Sequence, residues 1–158
     1  DLDLETGDKV KSIDTKASIQ NVKYSPDGKM IASTMGRNFA LWNAATGDLI
    51  HTFEGHRDDV TSICFSPNGQ WIVSASQDQQ IKVWNVPTRA LLTTFNEHGS
   101  FVESVAFNPN GKEFVSASLD QTVKIWVFPD LQELIDVTNK LFINRKLTSE
   151  ERKQYYLE

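Results

Sequence analysis

Short apolar runs alternate with polar turns along most of the chain, as in Val60–Phe65, Trp71–Ala75, Ile81–Trp84 and Leu91–Phe95. These runs are rich in β-branched and aromatic residues and too short for helices, so they predict strands. A Pro-(Asp/Asn)-Gly turn joins the first run to the second, where Pro presets φ and Gly accepts a positive φ. A polar turn at Gln77–Gln80 precedes the third run, Pro87-Thr88 precedes the fourth, and Asn96-Glu97-His98 closes it. Four runs in this order make an antiparallel meander. Many runs are apolar on both faces, which suits sheets stacked between other sheets.

The meander repeats. Ser25-Pro26-Asp27-Gly28, Ser66-Pro67-Asn68-Gly69 and Asn108-Pro109-Asn110-Gly111 recur at steps of 41 and 42 residues. Trp42, Trp84 and Trp126 follow at steps of 42, and His56/His98, Ser74/Ser116 and Asp78/Asp120 are each 42 apart. Thr6-Gly7 and Thr46-Gly47 are 40 apart. Landmarks in register at a period of ~40 residues are the mark of a stacked-repeat architecture. Tyr24, Phe65 and Phe107 hold equivalent positions and are expected in the core.

On these residues the chain resembles the WD-repeat β-propeller family. Glu54-Gly55-His56, Val60–Gly69, Ser74–Asp78 and Ile81–Trp84 carry the likeness, with the next repeat parallel to them. The usual Trp-Asp pair is here Trp42-Asn43, Trp84-Asn85 and Trp126-Val127. The resemblance covers about residues 1–128 and implies an all-β, partial β-propeller of four-stranded antiparallel blades. The blades are expected at 17–53, 57–95 and 101–128, with 1–14 as the end of a preceding blade (Asp1–Leu4, a Thr-Gly turn and an outer strand Val10–Ile13). That makes about three and a half blades, fewer than the ~4–8 that close a ring. The expected chain is therefore a C-terminal part of a longer protein, with association of copies to finish the ring as the alternative.

Residues 129–158 change character. Asp130 with Glu133 resembles a capping box, and Leu131, Leu134, Ile135, Leu141 and Phe142 recur at helical spacing. Thr148-Ser149-Glu150-Glu151 is a second capping box. A short helical tail is expected, similar to tails that follow WD arrays in bacterial signalling proteins.

His56, Ser74, Asp78 and Trp84, and their counterparts His98, Ser116, Asp120 and Trp126, are the polar constellations. Ser, His and Asp are also the letters of a hydrolase triad. A catalytic set would not be copied in register into the next repeat, and neither serine has a Gly-x-Ser-x-Gly elbow. The resemblance implies a buried structural relay from indole through hydroxyl and imidazole to carboxylate. The repeat before them departs from the pattern: Asp14-Thr15-Lys16 stand in place of His and Met35-Gly36-Arg37 in place of Asp. Apolar packing is expected to hold that repeat, with lower rigidity.

Composition narrows the functions. The single cysteine, Cys64, excludes an internal disulfide and fits a reducing compartment, so a cytoplasmic location is expected. A formal charge of −5 argues against nucleic acid or an anionic membrane as partner. No apolar run approaches the ~18 residues of a membrane helix. His51, His56, His98 and Cys64 lack metal-ligand spacing, and no Gly-rich phosphate loop is present, so neither metal nor cofactor is expected. The expected function is a non-enzymatic scaffold for proteins or peptides, as the interaction part of a signalling protein. The alternative is the regulatory array of a multidomain NTPase or protease whose catalytic domain lies elsewhere. The family's usual binding face implies Arg57, Asp58, Asp59, Gln77 and Gln79 in one blade, Gly99, Ser100, Phe101, Leu119 and Gln121 in the next, and Met35 and Arg37 in the irregular one.

Overall fold

A computed structural model describes residues 12–127. Three antiparallel sheets follow one another along these residues. The first holds β1 (Val22–Tyr24), β2 (Met30–Met35), β3 (Asn38–Asn43) and β4 (Leu49–Phe53). The second holds β5 (Val60–Phe65), β6 (Trp71–Ser76), β7 (Ile81–Asn85) and β8 (Leu91–Phe95). The third holds β9 (Val102–Phe107), β10 (Glu113–Ser118) and β11 (Val123–Val127). Each strand pairs with its chain neighbours, and no helix occurs among the described residues. This is the all-β, partial-propeller arrangement that the resemblance implies.

The turns behave as their residues require. Gly28, Gly69 and Gly111 donate their N–H groups to the carbonyls of Ser25, Ser66 and Asn108 at 2.9, 2.8 and 2.8 Å. Each glycine sits at a positive φ of about 70° (69, 70 and 74°), where a Cβ would be strained. Ser25 and Ser66 Oγ bond the side chains of Asp27 and Asn68 at 2.6 and 2.7 Å, which fixes the turn from inside. Such short, local turns hold the register of β1 on β2 and of β5 on β6.

The core lies between sheets. One cluster joins Ala32, Phe39 and Leu41 of the first sheet to Val60, Ile63, Phe65, Ile72 and Trp84 of the second. The other joins Val73, Ile81 and Val83 of the second to Val102, Val105, Phe114 and Trp126 of the third. Phe39 stacks on Phe53 at 4.6 Å between ring centroids, and Trp84 meets both rings edge-on at 5.7 and 5.5 Å. Aromatic pairs favour these offset and edge-to-face contacts.

Two expectations need correction. Tyr24 is 67% exposed, whereas its equivalent Phe65 is buried and Phe107 half-buried. The position in the repeat is the same, but no described sheet covers that face of the first sheet. The outer strand expected at Val10–Ile13 is described only at Ser12 and Ile13, which belong to no strand. The strand expected at Asp1–Leu4 and the helical tail at 129–158 lie outside the described residues.

Burial by a neighbouring sheet separates equivalent positions in stability. Ile81 is fully buried and its counterpart Val123 is 70% exposed. Ile81→Ala should cost about 2–5 kcal/mol, and Val123→Ala less than about 0.5 kcal/mol, as read from urea unfolding midpoints at constant slope.

Candidate functional site

The second sheet assembles one continuous relay. Trp84 Nε1 donates to Ser74 Oγ at 2.9 Å, Ser74 Oγ lies 2.8 Å from His56 Nε2, and His56 Nδ1 lies 2.9 Å from Asp78 Oδ2. The third sheet repeats it with Trp126, Ser116, His98 and Asp120 at 2.8, 2.7 and 2.7 Å. Direction follows from the indole, which can only donate. The serine oxygen accepts that bond and can donate its own O–H to Nε2, with the imidazole Nδ1–H then directed at the carboxylate. Glycine is needed beside this chain: a Cβ on Gly55 would stand 3.1 Å from the Trp84 ring, and Gly55 has a φ of 148°.

The carboxylates also hold the neighbouring loops. Asp78 Oδ2 accepts the Arg57 N–H at 2.9 Å, and Asp78 Oδ1 accepts the Gln80 N–H at 2.9 Å. Asp120 does the same for Gly99 and Thr122 at 3.0 and 2.9 Å. Each relay thus ties the loop before its sheet's first strand to the turn before the third. Burial alone would raise the Asp78 carboxyl, but the hydrogen bonds from His56 and the Arg57 N–H outweigh it and hold the group at about 2. The Thr122 hydroxyl, at 2.6 Å, is the main cause that holds Asp120 well below the usual carboxylate range; burial opposes it and His98 assists.

The geometry leaves no room for acyl chemistry at these serines. Ser74 and Ser116 are 0% and 1% exposed, each closed in between an indole and an imidazole. A nucleophile must reach a substrate carbonyl, and these hydroxyls face only the protein interior. Burial pushes the Cys64 thiol up to about 12, far from the thiolate that a reactive cysteine needs. Among the described residues no cluster of three or more His, Cys, Asp or Glu is placed to hold a metal, and no helix is long and apolar enough to cross a membrane.

The first sheet is built differently. Trp42 Nε1 still donates to Ser33 Oγ at 2.8 Å. Asp14 is exposed and folds back on its own loop, where it accepts the Lys16 N–H at 3.0 Å. Thr34 takes over the tie: its hydroxyl accepts the N–H groups of Gln20 and Asn21 at 3.0 and 2.9 Å, and its own N–H donates to the Asn21 carbonyl at 3.0 Å. The apolar packing expected of this repeat is joined by a threonine clamp, which replaces a side-chain relay with bonds to backbone.

The loop residues gather at one end of the sheets. Arg57 and Asp58 are exposed and Asp59 half-buried, with Gln77 half-buried and Gln79 exposed. Phe101, Leu119 and Gln121 are exposed and Ser100 is half-buried; Met35 is half-buried and Arg37 exposed. Backbone bonds knit these loops: the Gln77 N–H donates to the Asp59 carbonyl and the Leu119 N–H to the Phe101 carbonyl, both at 2.9 Å. Gln79 and Gln121 adopt positive φ values of 68 and 69°, a strained setting for a side-chain-bearing residue.

Ser76 and Ser118 escaped the sequence reading. Their hydroxyls donate to the carbonyls of Asp58 and Ser100 at 3.0 and 3.2 Å and accept the N–H groups of Asp78 and Asp120 at 3.1 and 3.1 Å. Their 42-residue spacing was the available signal. Lys82 was missed too. It is 6% exposed, its Nζ donates to Thr94 Oγ1 at 3.1 Å, and burial pulls it below the ordinary lysine value.

Comparison with known proteins meets this geometry directly. The family model described as "WD domain, G-beta repeat" matches residues 47–85 and 89–127. The chain belongs to the WD-repeat β-propeller family. It is 33% identical over 82 residues to the U3 small nucleolar RNA-associated protein 15 homolog of Xenopus tropicalis, a match that covers 51% of this chain and 16% of that protein. It is 34% identical over 63 residues to an uncharacterized WD repeat-containing protein of Synechocystis, covering 39% of this chain and 18% of that protein. The solved structure of RRP9 WD40 repeats superposes with a TM-score of 0.68 at 25% identity, covering 71% of this chain and 36% of that one. This WD-repeat chain thus spans about a sixth of the curated relatives it matches. The expected cytoplasmic location does not stand: these relatives are named for association with a small nucleolar RNA.

Acid should expose the relay. An unfolded aspartate titrates near ~3.9, above the folded Asp78 value of about 2. Asp78 therefore contributes stability that is complete above the unfolded value and is lost as pH falls through the folded one. Asp78→Ala should lower stability at pH 7 by about 1–3 kcal/mol and flatten the stability profile between about pH 5 and 2, measured by urea unfolding across that range. Hydrogen exchange supplies an independent readout. β1 has only three residues, all exposed, so its amides should exchange faster than those of β5.

Proposed function

We propose that this WD-repeat chain is a scaffold that binds proteins or peptides on the loop end of its sheets. The carrying observation is the relay pair. His56–Asp78 and His98–Asp120 use buried side chains to fix the backbone of exposed loops, and the exposed tips make no part of the relay. A scaffold needs a rigid backbone under adaptable side chains, and this arrangement supplies it. Arg57, Phe101 and Leu119 are the residue types best suited to anchor a partner, with Asp58, Asp59, Gln77, Gln79, Ser100, Gln121, Met35 and Arg37 around them. The relatives' names support an assembly role and give no support to a signalling one.

RNA is the second reading, favoured only by the small nucleolar RNA in the relatives' names. The formal charge of −5 weighs against it, because phosphate neutralisation is what drives such binding.

A paired substitution tests the face. Phe101→Ala with Leu119→Ala should weaken capture of specific protein partners by ~10-fold or more if these are anchors. Asp27→Ala, on the turn at the opposite end, should leave the captured set unchanged. Quantitative affinity-purification mass spectrometry of the full-length protein, with and without ribonuclease, reads both. Loss of all partners on ribonuclease treatment would favour RNA instead.

A further inference from the structure

The Pro-(Asp/Asn)-Gly turn of the second sheet carries an amide group that the fold does not use. In the first turn Asp27 Oδ1 accepts the Ser25 hydroxyl at 2.6 Å and the Lys29 N–H at 3.1 Å. In the second, Asn68 Oδ1 accepts the Ser66 hydroxyl at 2.7 Å and the Gln70 N–H at 3.0 Å. The oxygen makes the same bonds in both turns, and Asn68 Nδ2 has no hydrogen-bond partner among the described residues. A carboxylate would serve at Asn68 as it serves at Asp27. Asn68 is exposed although its sheet has a described neighbour on each side. Glycine follows it, and a glycine has no Cβ to shield its own nitrogen.

These groups are the reactants of an intramolecular acyl transfer. The Gly69 nitrogen, its proton lost to hydroxide, attacks Asn68 Cγ, and negative charge develops on Oδ1. The Cγ–Nδ2 bond then breaks, ammonia leaves with a proton taken from water, and a cyclic imide remains. Water adds to one of its two carbonyls and opens the ring, to aspartate or to an isoaspartyl link. Donors already aimed at a developing oxyanion are what speeds acyl chemistry, and the Ser66 hydroxyl and the Gln70 N–H are so placed. The first turn shows that this donor pair favours negative charge: the Ser25 hydroxyl, with the Lys29 N–H, holds the Asp27 carboxyl below the usual carboxylate range. The third turn supplies the comparison. Asn108 replaces the serine, and among the described residues Asn110 Oδ1 accepts one bond, from the Lys112 N–H at 2.8 Å. The two nucleophiles are held alike, with Gly69 and Gly111 N–H each 2.8 Å from the carbonyls of Ser66 and Asn108.

We propose that Asn68 is a self-modifying site, which deamidates through the Gly69 nitrogen with the Ser66 hydroxyl stabilising the oxyanion, and does so faster than Asn110. The aspartate product rebuilds the bonds of the first turn and adds one negative charge. The isoaspartyl product lengthens the main chain by one carbon between β5 and β6. The proposal stands apart from the loop-end reading, because none of these residues lies in those loops.

Peptide mapping after incubation of the intact protein in isotope-labelled water at mildly alkaline pH tests it. In the folded chain Asn68 should convert about 10-fold faster than Asn110, the worth of one charge-assisted donor. In urea, where the turn bonds are gone, the two rates should converge. Asn108→Ser supplies the missing hydroxyl and should raise the Asn110 rate toward that of Asn68. Asn108→Ala loosens the same turn without a hydroxyl and should not. Asn68→Asp should keep the wild-type urea midpoint. An Asn68 rate equal to or below that of Asn110 in the folded chain would overturn the proposal. So would a gap that persists in urea, an Asn110 rate that Asn108→Ala raises as much as Asn108→Ser, or a marked loss of stability in Asn68→Asp.

Discussion

Everything in this structure depends on sheets lending each other their apolar faces. A three- or four-stranded antiparallel sheet on its own buries one face at most, and the runs of this chain are apolar on two. Val83 and Ile125 make the dependence visible. They sit at the same place in consecutive repeats, yet one is fully buried and the other 69% exposed. The side chain does not decide its burial; the adjacent sheet does. Stability is therefore spread over interfaces between repeats, as in other stacked-repeat proteins, and no single sheet is a core by itself.

Stacking also creates the polar problem that the relay solves. In the second and third repeats stacking puts the indole N–H, the serine hydroxyl and the imidazole out of reach of water, and unpaired buried polar groups are costly. The line from Trp84 through Ser74 and His56 to Asp78 satisfies them in sequence and ends on a carboxylate at the loop end. That carboxylate then has bonds left for backbone N–H groups, which it uses to fix the loop at Arg57 and the turn at Gln80. A requirement of packing thus becomes a rigid platform, and the letters of a catalytic triad appear without its chemistry.

Much of this was legible before any coordinates. The three Pro-(Asp/Asn)-Gly turns mark where strands begin and end, and the 42-residue step of His, Ser, Asp and Trp predicts which side chains meet. Repetition carries that information because a pair that recurs in register is bound by one geometry. What escaped has two physical origins. Tyr24 was misread because a repeat position specifies a face but not whether a neighbour covers it. Thr34, Ser76 and Ser118 escaped because their partners are backbone groups, which every residue carries and no sequence pattern advertises.

The loop end shows how one scaffold can present different surfaces. Asp59 and Gln77 in the second repeat correspond to Phe101 and Leu119 in the third, a change from polar to apolar at both positions. The bond that joins each pair is the same, N–H to carbonyl at 2.9 Å, and it uses backbone atoms alone. Beneath them the relay residues do not change at all between these two repeats. The bond within each pair uses no side-chain atom, so the side chains at these positions vary without disturbing it. Chemistry at the rim is decoupled from stability in the sheet, and that separation lets specificity reside in a few exposed side chains while the buried set stays constant.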